Sequence, residues 1–427
     1  MTKNDESWKK LFEQYNILEE VSKNGLFKIR AAQINEERES RLMAKFDHHV
    51  NLPEIFREHK LSILPISRNE YVIGHFDSYC SVEYNKETEV IPVNLPENIE
   101  SIDYTNLYSE SSALHCAFNI GIIDNLIEDG ESTHYTVSGR MSTDSFEFSI
   151  GNLNNANQPY TIEVKNSQCE IDGGFESKNY FLLIEAKKSM IDDFLIRQLY
   201  YPYRLWSQKI SKPVIPILMT YSNDTYTFFI YEFKNPQDYN SLILVSQKNY
   251  TIAHEEIQRE DVSILFENIQ LVAEPKNISI PQADIFEKVV DLLSLLVDKD
   301  LTKDEITENY QFDRRQTDYY THASRYLGLI KKYKDPVTKK ICFKLTNEAK
   351  SILRKRHKLK YLDFMKKILE HEIFYRCFEL SIKNGGIPSK EQICEIMSRS
   401  NLGINPGTQG RRASTVRGWI EWIWAQI

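Results

Sequence analysis

Apolar and polar positions change period along this 427-residue chain, and each change marks an element. Tyr160 to Asp172 and Tyr180 to Lys187 read as two strands. The second carries Leu182-Leu183-Ile184, the unbroken apolar run of a strand covered on both faces. Gly173 and Gly174 read as the short turn between them. Over 192–206 (DDFLIRQLYYPYRLW) Phe194, Leu195, Leu199, Tyr203 and Trp206 recur near helical spacing, which predicts a helix packed on a sheet. Pro202 is expected to kink that helix or end its first half. Val214–Tyr221 and Tyr226–Phe233 read as further strands around the turn Ser222-Asn223-Asp224. Upstream, Ser109–Ile127 reads as a helix capped by Ser109, and residues 134–150 as two short strands. The resulting order of helix, strands, helix and strand predicts a mixed α+β domain.

The C-terminal pattern is different. Gln282–Val297 is expected to be an amphipathic helix, Thr302–Tyr310 a short second helix capped by Thr302, and Arg314–Tyr333 a third helix. DPVTKKICFKLT then turns at Asp335-Pro336 and returns as a strand ending at Thr346. Three helices and a β-hairpin are the outline of a winged helix, whose third helix enters the major groove. On that helix Arg314, Arg315, Gln316, Thr317, Tyr319, Tyr320 and His322 are the expected exposed set, offering donors to bases or phosphates. Tyr326–Ile330 is expected to be core and turn. Further on come a long amphipathic helix, Tyr361–Lys383, and a shorter one, Lys390–Ser398. The last helix is expected to be capped by Ser414 or Thr415, with Val416, Trp419, Ile420 and Ile423 as its apolar stripe. Arg411, Arg412 and Arg417 fall at its start, where backbone N–H groups also favour phosphate. The expected divisions are 1–105, of unclear role; 106–275, the α+β core; 276–360, the winged helix; and 361–427, a second small helical unit.

Composition narrows this. No run of about 18 apolar residues predicts a membrane span, and the polar N-terminus lacks the apolar core of a signal peptide. The six cysteines are scattered without a CxxC pair, which suits a reducing cytosol and argues against a zinc site or a disulfide scaffold. His48-His49 reads as a surface loop. The net charge of −8 hides an asymmetry: residues 314–427 carry 24 Lys+Arg against 10 Asp+Glu, leaving 29 against 51 in the first 313. Attraction to phosphate is therefore expected at the basic end.

The candidate chemistry lies in CEIDGGFESKNYFLLIEAKKS. Adjacent strands would bring Asp172 and Glu185 to one sheet edge, and alternation puts Glu185 and Lys187 on one face. Two hard oxygen ligands and an ammonium beside a single phosphate suit metal-assisted phosphodiester hydrolysis. Lys187 would position the attacking water or offset transition-state charge. Glu110 is a candidate for an additional metal carboxylate, with a first-turn residue favourable to the helix dipole as the alternative. Glu170 is a weaker candidate, and Glu163 is read as surface. Arg140 is either a DNA contact or half of a structural salt bridge.

The order Asp, then Glu-x-Lys, resembles the PD-(D/E)xK nuclease superfamily. Ile171-Asp172 stands where that pattern nominally has proline before the aspartate. Gln198, followed three residues later by Tyr201, resembles a helix motif that lies beside the metal site in several branches. Arg197 and Arg204 on the same helix are candidate phosphate contacts. The helix–strand order is similar to the superfamily's αβββαβ core. Together with the basic C-terminal unit, the chain resembles bacterial type II restriction endonucleases. That resemblance implies Mg²⁺ as cofactor, double-stranded DNA as substrate and a cytoplasmic, bacterial or archaeal setting. It also implies a cognate methyltransferase as genetic partner, unless only modified DNA is cut, and a homodimer if the target is palindromic. A structure-selective repair nuclease and a non-catalytic winged-helix regulator are the alternatives.

Overall fold

The Leu182–Ile184 run lies inside a seven-stranded mixed sheet. Its strand order is Val90–Val93, Leu242–Ile252, Thr225–Phe233, Val214–Ser222, Phe181–Lys187, Gln168–Glu176 and His134–Ser142. Phe181–Lys187 pairs parallel to Val214–Ser222 and antiparallel to Gln168–Glu176, so it is flanked on both sides and buried on both faces. A parallel pair needs a crossover, and the helix Arg197–Lys209 supplies it. The computed structural model describes residues 3–427 apart from 97, 106, 128–129, 253–254, 310–311 and 401–405. The chain forms two compact units: residues 1–91, 110–221 and 225–250, and residues 92–109, 222–224 and 251–427. Among the described residues no helix is long and apolar enough to cross a membrane.

In the first unit the sequence of elements is helix Glu110–Asn119, strands His134–Ser142, Gln168–Glu176 and Phe181–Lys187, helix Arg197–Lys209, then strand Val214–Ser222. The hairpin Phe146–Ile150 with Tyr160–Val164 stands outside the large sheet, so the expected strand Tyr160–Asp172 is in fact two, broken at Asn166 (φ 51°). Gly173 and Gly174 are not a turn. They lie within the Gln168–Glu176 strand, and the reversal comes at Ser177–Tyr180, closed by a 3.0 Å bond from the Ser177 N–H to the Tyr180 carbonyl. The two glycines answer to packing: a Cβ on Gly173 would meet Leu114 and Phe175, and one on Gly174 would meet Val137 and Phe181. The first helix is shorter than expected, ending at Asn119 ahead of Gly121 (φ +79°). The crossover helix runs unbroken past Pro202 to Lys209.

Residues 1–91 begin with their own small core. Helices Lys3–Gln14 and Ile17–Asn24 cover a three-stranded sheet (Leu26–Arg30, Glu70–Gly74, Ser62–Pro65). Trp8, Leu11, Phe56 and Ile73 are buried there, with Trp8 edge-on to Phe56 at 4.8 Å.

In the second unit, helices Phe286–Leu295, Lys303–Asn309 and Arg314–Tyr326 are followed by the hairpin Ile330–Lys334 with Ile341–Leu345. The short strand Leu301–Thr302 adds a third member to that hairpin's sheet. Asp313 caps the third helix by accepting from the Arg315 and Gln316 N–H groups, while the Gln316 side chain accepts from the Asp313 N–H. This helix stops at Tyr326, short of the expected Tyr333, because Gly328 (φ +71°) turns the chain into the hairpin. The expected break at 360/361 is absent from the packing: one core runs from Ile257 to Ile423 and includes Phe286, Leu345, Phe364 and Trp419. Tyr361–Lys383 is two helices, His357–Leu369 and Glu372–Asn384. The last helix begins at Pro406, so Ser414 and Thr415 lie within it rather than capping it.

Candidate active site

The Glu185 strand ends at Lys187, opposite Thr220 of its parallel neighbour. Its antiparallel pairing stops at Ile184↔Gly173, which leaves the Ala186 N–H without a main-chain acceptor from that side. The Asp172 carboxylate takes that N–H at 2.8 Å. The pairing of Gln168–Glu176 with His134–Ser142 slips by one residue on each side of Val137, so an extra residue sits at Asp172-Gly173. Such bulges re-aim side chains at sheet ends and accompany active sites. On the other face of the alternation Glu185 and Lys187 meet, Nζ to Oε1 at 2.7 Å. The Gln198 amide, on the first turn of the crossover helix, donates to the same Glu185 oxygen at 2.5 Å. Asp172, Glu185, Lys187 and Gln198 are thus brought together as expected, and Glu185 is 9% exposed.

Burial pushes the Glu185 carboxyl up to about 7, against the pull of Lys187. Burial also opposes charge on Lys187, yet Glu185, Asp47 and Glu110 more than offset it and hold the ammonium above its ordinary range. Burial raises Asp172 too, partly countered by the Ala186 N–H and Lys187. Glu110, raised by burial, sits within the fields of Lys187, Glu185, Lys188 and Lys45. It belongs electrostatically to the same cluster.

Asp47 had no signal in the sequence. It is far from the motif along the chain and sits in a stretch without strong periodicity. Its carbonyl accepts from the Leu195 N–H at 2.8 Å, fastening it beside the crossover helix. Burial would raise its carboxyl, but Lys187, Lys45, Arg197 and His48 hold it below the usual range. Lys45 is 3.6 Å from Asp47. His48 is buried rather than on a surface loop, its Nδ1 2.6 Å from the Asp193 carbonyl.

Three family models match the chain, each described as a domain of unknown function: DUF6996 over residues 5–73, DUF6997 over 74–251 and DUF7226 over 288–427. No curated protein and no solved structure matches it. The carboxylates Glu110, Asp172 and Glu185, with Lys187 and Gln198, all fall within the middle match, while Lys45 and Asp47 come from the first.

Other expected site residues are elsewhere. Tyr201 is fully buried, its hydroxyl donating to the Pro65 carbonyl at 2.9 Å, so it supports the aromatic core and not Glu185. Arg204 is not a phosphate contact: it is buried, donates to the Glu147 carbonyl (2.9 Å) and Tyr200 hydroxyl (2.8 Å), and lies over Phe146. Arg197 lies over the Tyr201 ring at 5.7 Å. Arg140 makes an exposed pair with Glu170 at 3.3 Å, and Glu163 is exposed beside Lys165. In the second unit Arg314 and Arg315 are exposed. Thr317 and Tyr320 are not: Thr317 is fully buried with its hydroxyl 2.9 Å from that of Thr307, and Tyr320 stacks on Phe312 at 4.8 Å. Arg411 is exposed, Arg412 donates to the Ile280 carbonyl, and Arg417 pairs with Glu421 at 2.8 Å.

The donors at the site are all oxygen. Among the described residues no three His, Cys, Asp or Glu make a cage that could hold a metal ion. Mg²⁺ needs no such cage, since it keeps several waters and is held by one or two carboxylates. Two buried oxygens of the cluster, Asp47 Oδ1 and Gln198 Oε1, have no hydrogen-bond partner. Buried acceptors of this kind are costly unless something satisfies them, and a hydrated hard cation suits them. The donor set therefore fits Mg²⁺.

Proposed function

We propose that this chain is a Mg²⁺-dependent, sequence-specific double-strand DNA endonuclease of restriction type. One observation carries the reading: Lys187 and Gln198 converge on one oxygen of Glu185 while Asp172 is pinned by the Ala186 N–H at the same strand end. The order of helix, three strands, helix and strand around that end is similar to the PD-(D/E)xK core, and the helices and hairpin of the second unit are similar to a winged helix. Asp172 and Glu185 would hold the ion, with Glu110 as a further carboxylate. Bound there, Mg²⁺ supplies polarisation of the phosphate and a water of lowered pKa. Lys187 keeps its proton, orients the attacking water and offsets charge gathering on the phosphoryl oxygens. Gln198 holds Glu185 in place. In the second unit Arg314, Arg315 and Arg411, with the lysines of the hairpin, supply attraction to the DNA backbone. A methyltransferase protecting host DNA is the implied genetic partner.

The test is to incubate wild type and Lys187→Ala with Mg²⁺ and one plasmid in unmethylated and fully modified form. Discrete fragments from wild type alone support the reading, and the preferred plasmid tells whether modification protects or licenses cutting. Tight binding with intact DNA in every lane would sink it in favour of a DNA-binding regulator. Cutting confined to added branched or flapped duplexes would make it a structure-selective nuclease.

A further inference from the structure

Beside Asp172 stands an aromatic cluster that takes no part in holding the carboxylates. Tyr135, on the strand His134–Ser142 at the edge of the sheet, stacks on Phe175 with ring centres 5.1 Å apart and planes 28° apart. His115 and Phe118, from the helix that begins at Glu110, close on the same ring at 5.8 and 6.2 Å. Phe175 is fully buried, whereas Tyr135 keeps 38% of its surface exposed. The Tyr135 hydroxyl donates to the Asp172 carbonyl at 3.5 Å. One face of the ring is thus fixed against Phe175, more than a third of the residue is exposed, and the tip reaches the backbone of a site carboxylate. The strand is bulged on both sides of Val137, which disfavours pairing with another strand along this edge.

We propose that Tyr135 is a stacking platform for an unpaired nucleobase, belonging to the strand whose phosphate lies at Asp172, Glu185 and Lys187. The inference rests on the nuclease reading for the position of that phosphate. Sites for unpaired strands combine cations that track the backbone with aromatic faces that take bases, and they tolerate any base because every base has a π-face. Both parts are present here: Lys187 follows Ala186, whose N–H bonds the Asp172 carboxylate, and the Asp172 carbonyl is the group that the Tyr135 hydroxyl reaches. A ring already immobilised loses little entropy on binding. Inside a duplex the faces of the bases are covered, so the platform implies that a base near the cut is turned out of the stack or is unpaired beforehand.

The experiment compares, by fluorescence anisotropy, a labelled thymidine dodecamer with an abasic strand of equal length and charge. Ca²⁺ is present in place of Mg²⁺ so that binding is read without hydrolysis. The full chain should hold the thymidine strand about tenfold more tightly than the abasic one. Tyr135→Phe should keep that preference. Tyr135→Leu, which still covers Phe175 but has no π-face, should lose it at unchanged thermal unfolding. Equal affinity for the two strands in wild type, no binding of either, or a preference that survives Tyr135→Leu would each overturn the platform. Plasmid cleavage is read separately. Failure to cut with the base preference intact would defeat the nuclease reading and still support the platform.

Discussion

In the first unit the charges of interest are buried and bonded to one another; in the second, most of the basic side chains stand in water. Glu185 and Lys187 are each about one-tenth exposed at the side chain and share one hydrogen bond, with a second donor on the same oxygen. On the Arg314–Tyr326 helix and the following hairpin, Arg314, Arg315, Lys331, Lys332, Lys334, Lys339 and Lys340 are exposed. Buried charge is expensive and persists only with close partners, and the cluster at this sheet end supplies them. Exposed charge costs little, contributes little to stability and acts at a distance on a charged partner. The net charge does not follow that division: the balance turns positive only after residue 313, well inside the second unit.

The largest effect expected is at the site. Lys187→Ala or Glu185→Ala should lower plasmid cleavage by more than about a thousandfold, the scale set by losing a preorganised electrostatic group. DNA affinity should stay nearly unchanged. Weakened binding with unaltered cutting per bound complex would erase the contrast between buried chemistry and exposed attraction.

Next is a half-buried carboxylate in the second unit, paired with the buried Lys360. Asp224 accepts from Lys360 Nζ at 2.7 Å and lies 2.9 Å from His357 Nδ1. Burial would raise its carboxyl, but Lys360 and His357 hold it far below the usual range. A depressed carboxylate contributes stability above its unfolded pKa of about 3.9 and loses it as pH falls through the lower folded value. Asp224→Asn should therefore cost about 3–5 kcal/mol at neutral pH in denaturant unfolding, by leaving Lys360 buried without its counter-ion. The difference from wild type should shrink in acid. A pH-independent difference would contradict the linkage.

Smaller still, Arg314→Ala with Arg315→Ala should weaken DNA binding alike on all sequences and reduce the salt slope by about 2, as expected for two lost phosphate contacts. A loss confined to certain sequences would make them base contacts. Least of all, Thr317→Val should cost about 1 kcal/mol of stability through the lost bonds of its hydroxyl to the Asp313 carbonyl and the Thr307 hydroxyl, and nothing in affinity. An affinity loss at unchanged stability would return Thr317 to the DNA-facing set.

Much of the site was legible because its signal is local. Leu182-Leu183-Ile184 ending in Glu-Ala-Lys announces a strand covered on both faces with charge at its end, and the following helical spacing announces the crossover. The glycines misled because glycine is a turn former as well as the residue for close approach; only the neighbours Leu114, Phe175, Val137 and Phe181 distinguish the two. Thr317 and Tyr320 misled through polarity. They share a helix face with Thr321 and Ser324, all buried, and that face satisfies its hydroxyls internally. Arg204 sits likewise on the apolar side of its helix, between Tyr200 and Tyr201 on one side and Leu205 on the other. Asp47 was invisible because Lys187, Leu195 and Arg197, which tie it to the site, lie more than a hundred residues away.

The parallel pairing of Phe181–Lys187 with Val214–Ser222 has a consequence for biosynthesis. Parallel neighbours can join only after the intervening crossover has been made, and contacts this distant in sequence form late. A nascent chain that has exposed Glu185 and Lys187 but not residues 214–222 holds both side chains on a strand lacking one of its two flanks. The N-terminal core can already be folded at that stage, since domains fold as units while synthesis proceeds. The edge that carries Asp172, Glu185 and Lys187 is thus completed only when residues 214–222 have left the ribosome, and a product truncated before them carries the motif without the sheet that organises it.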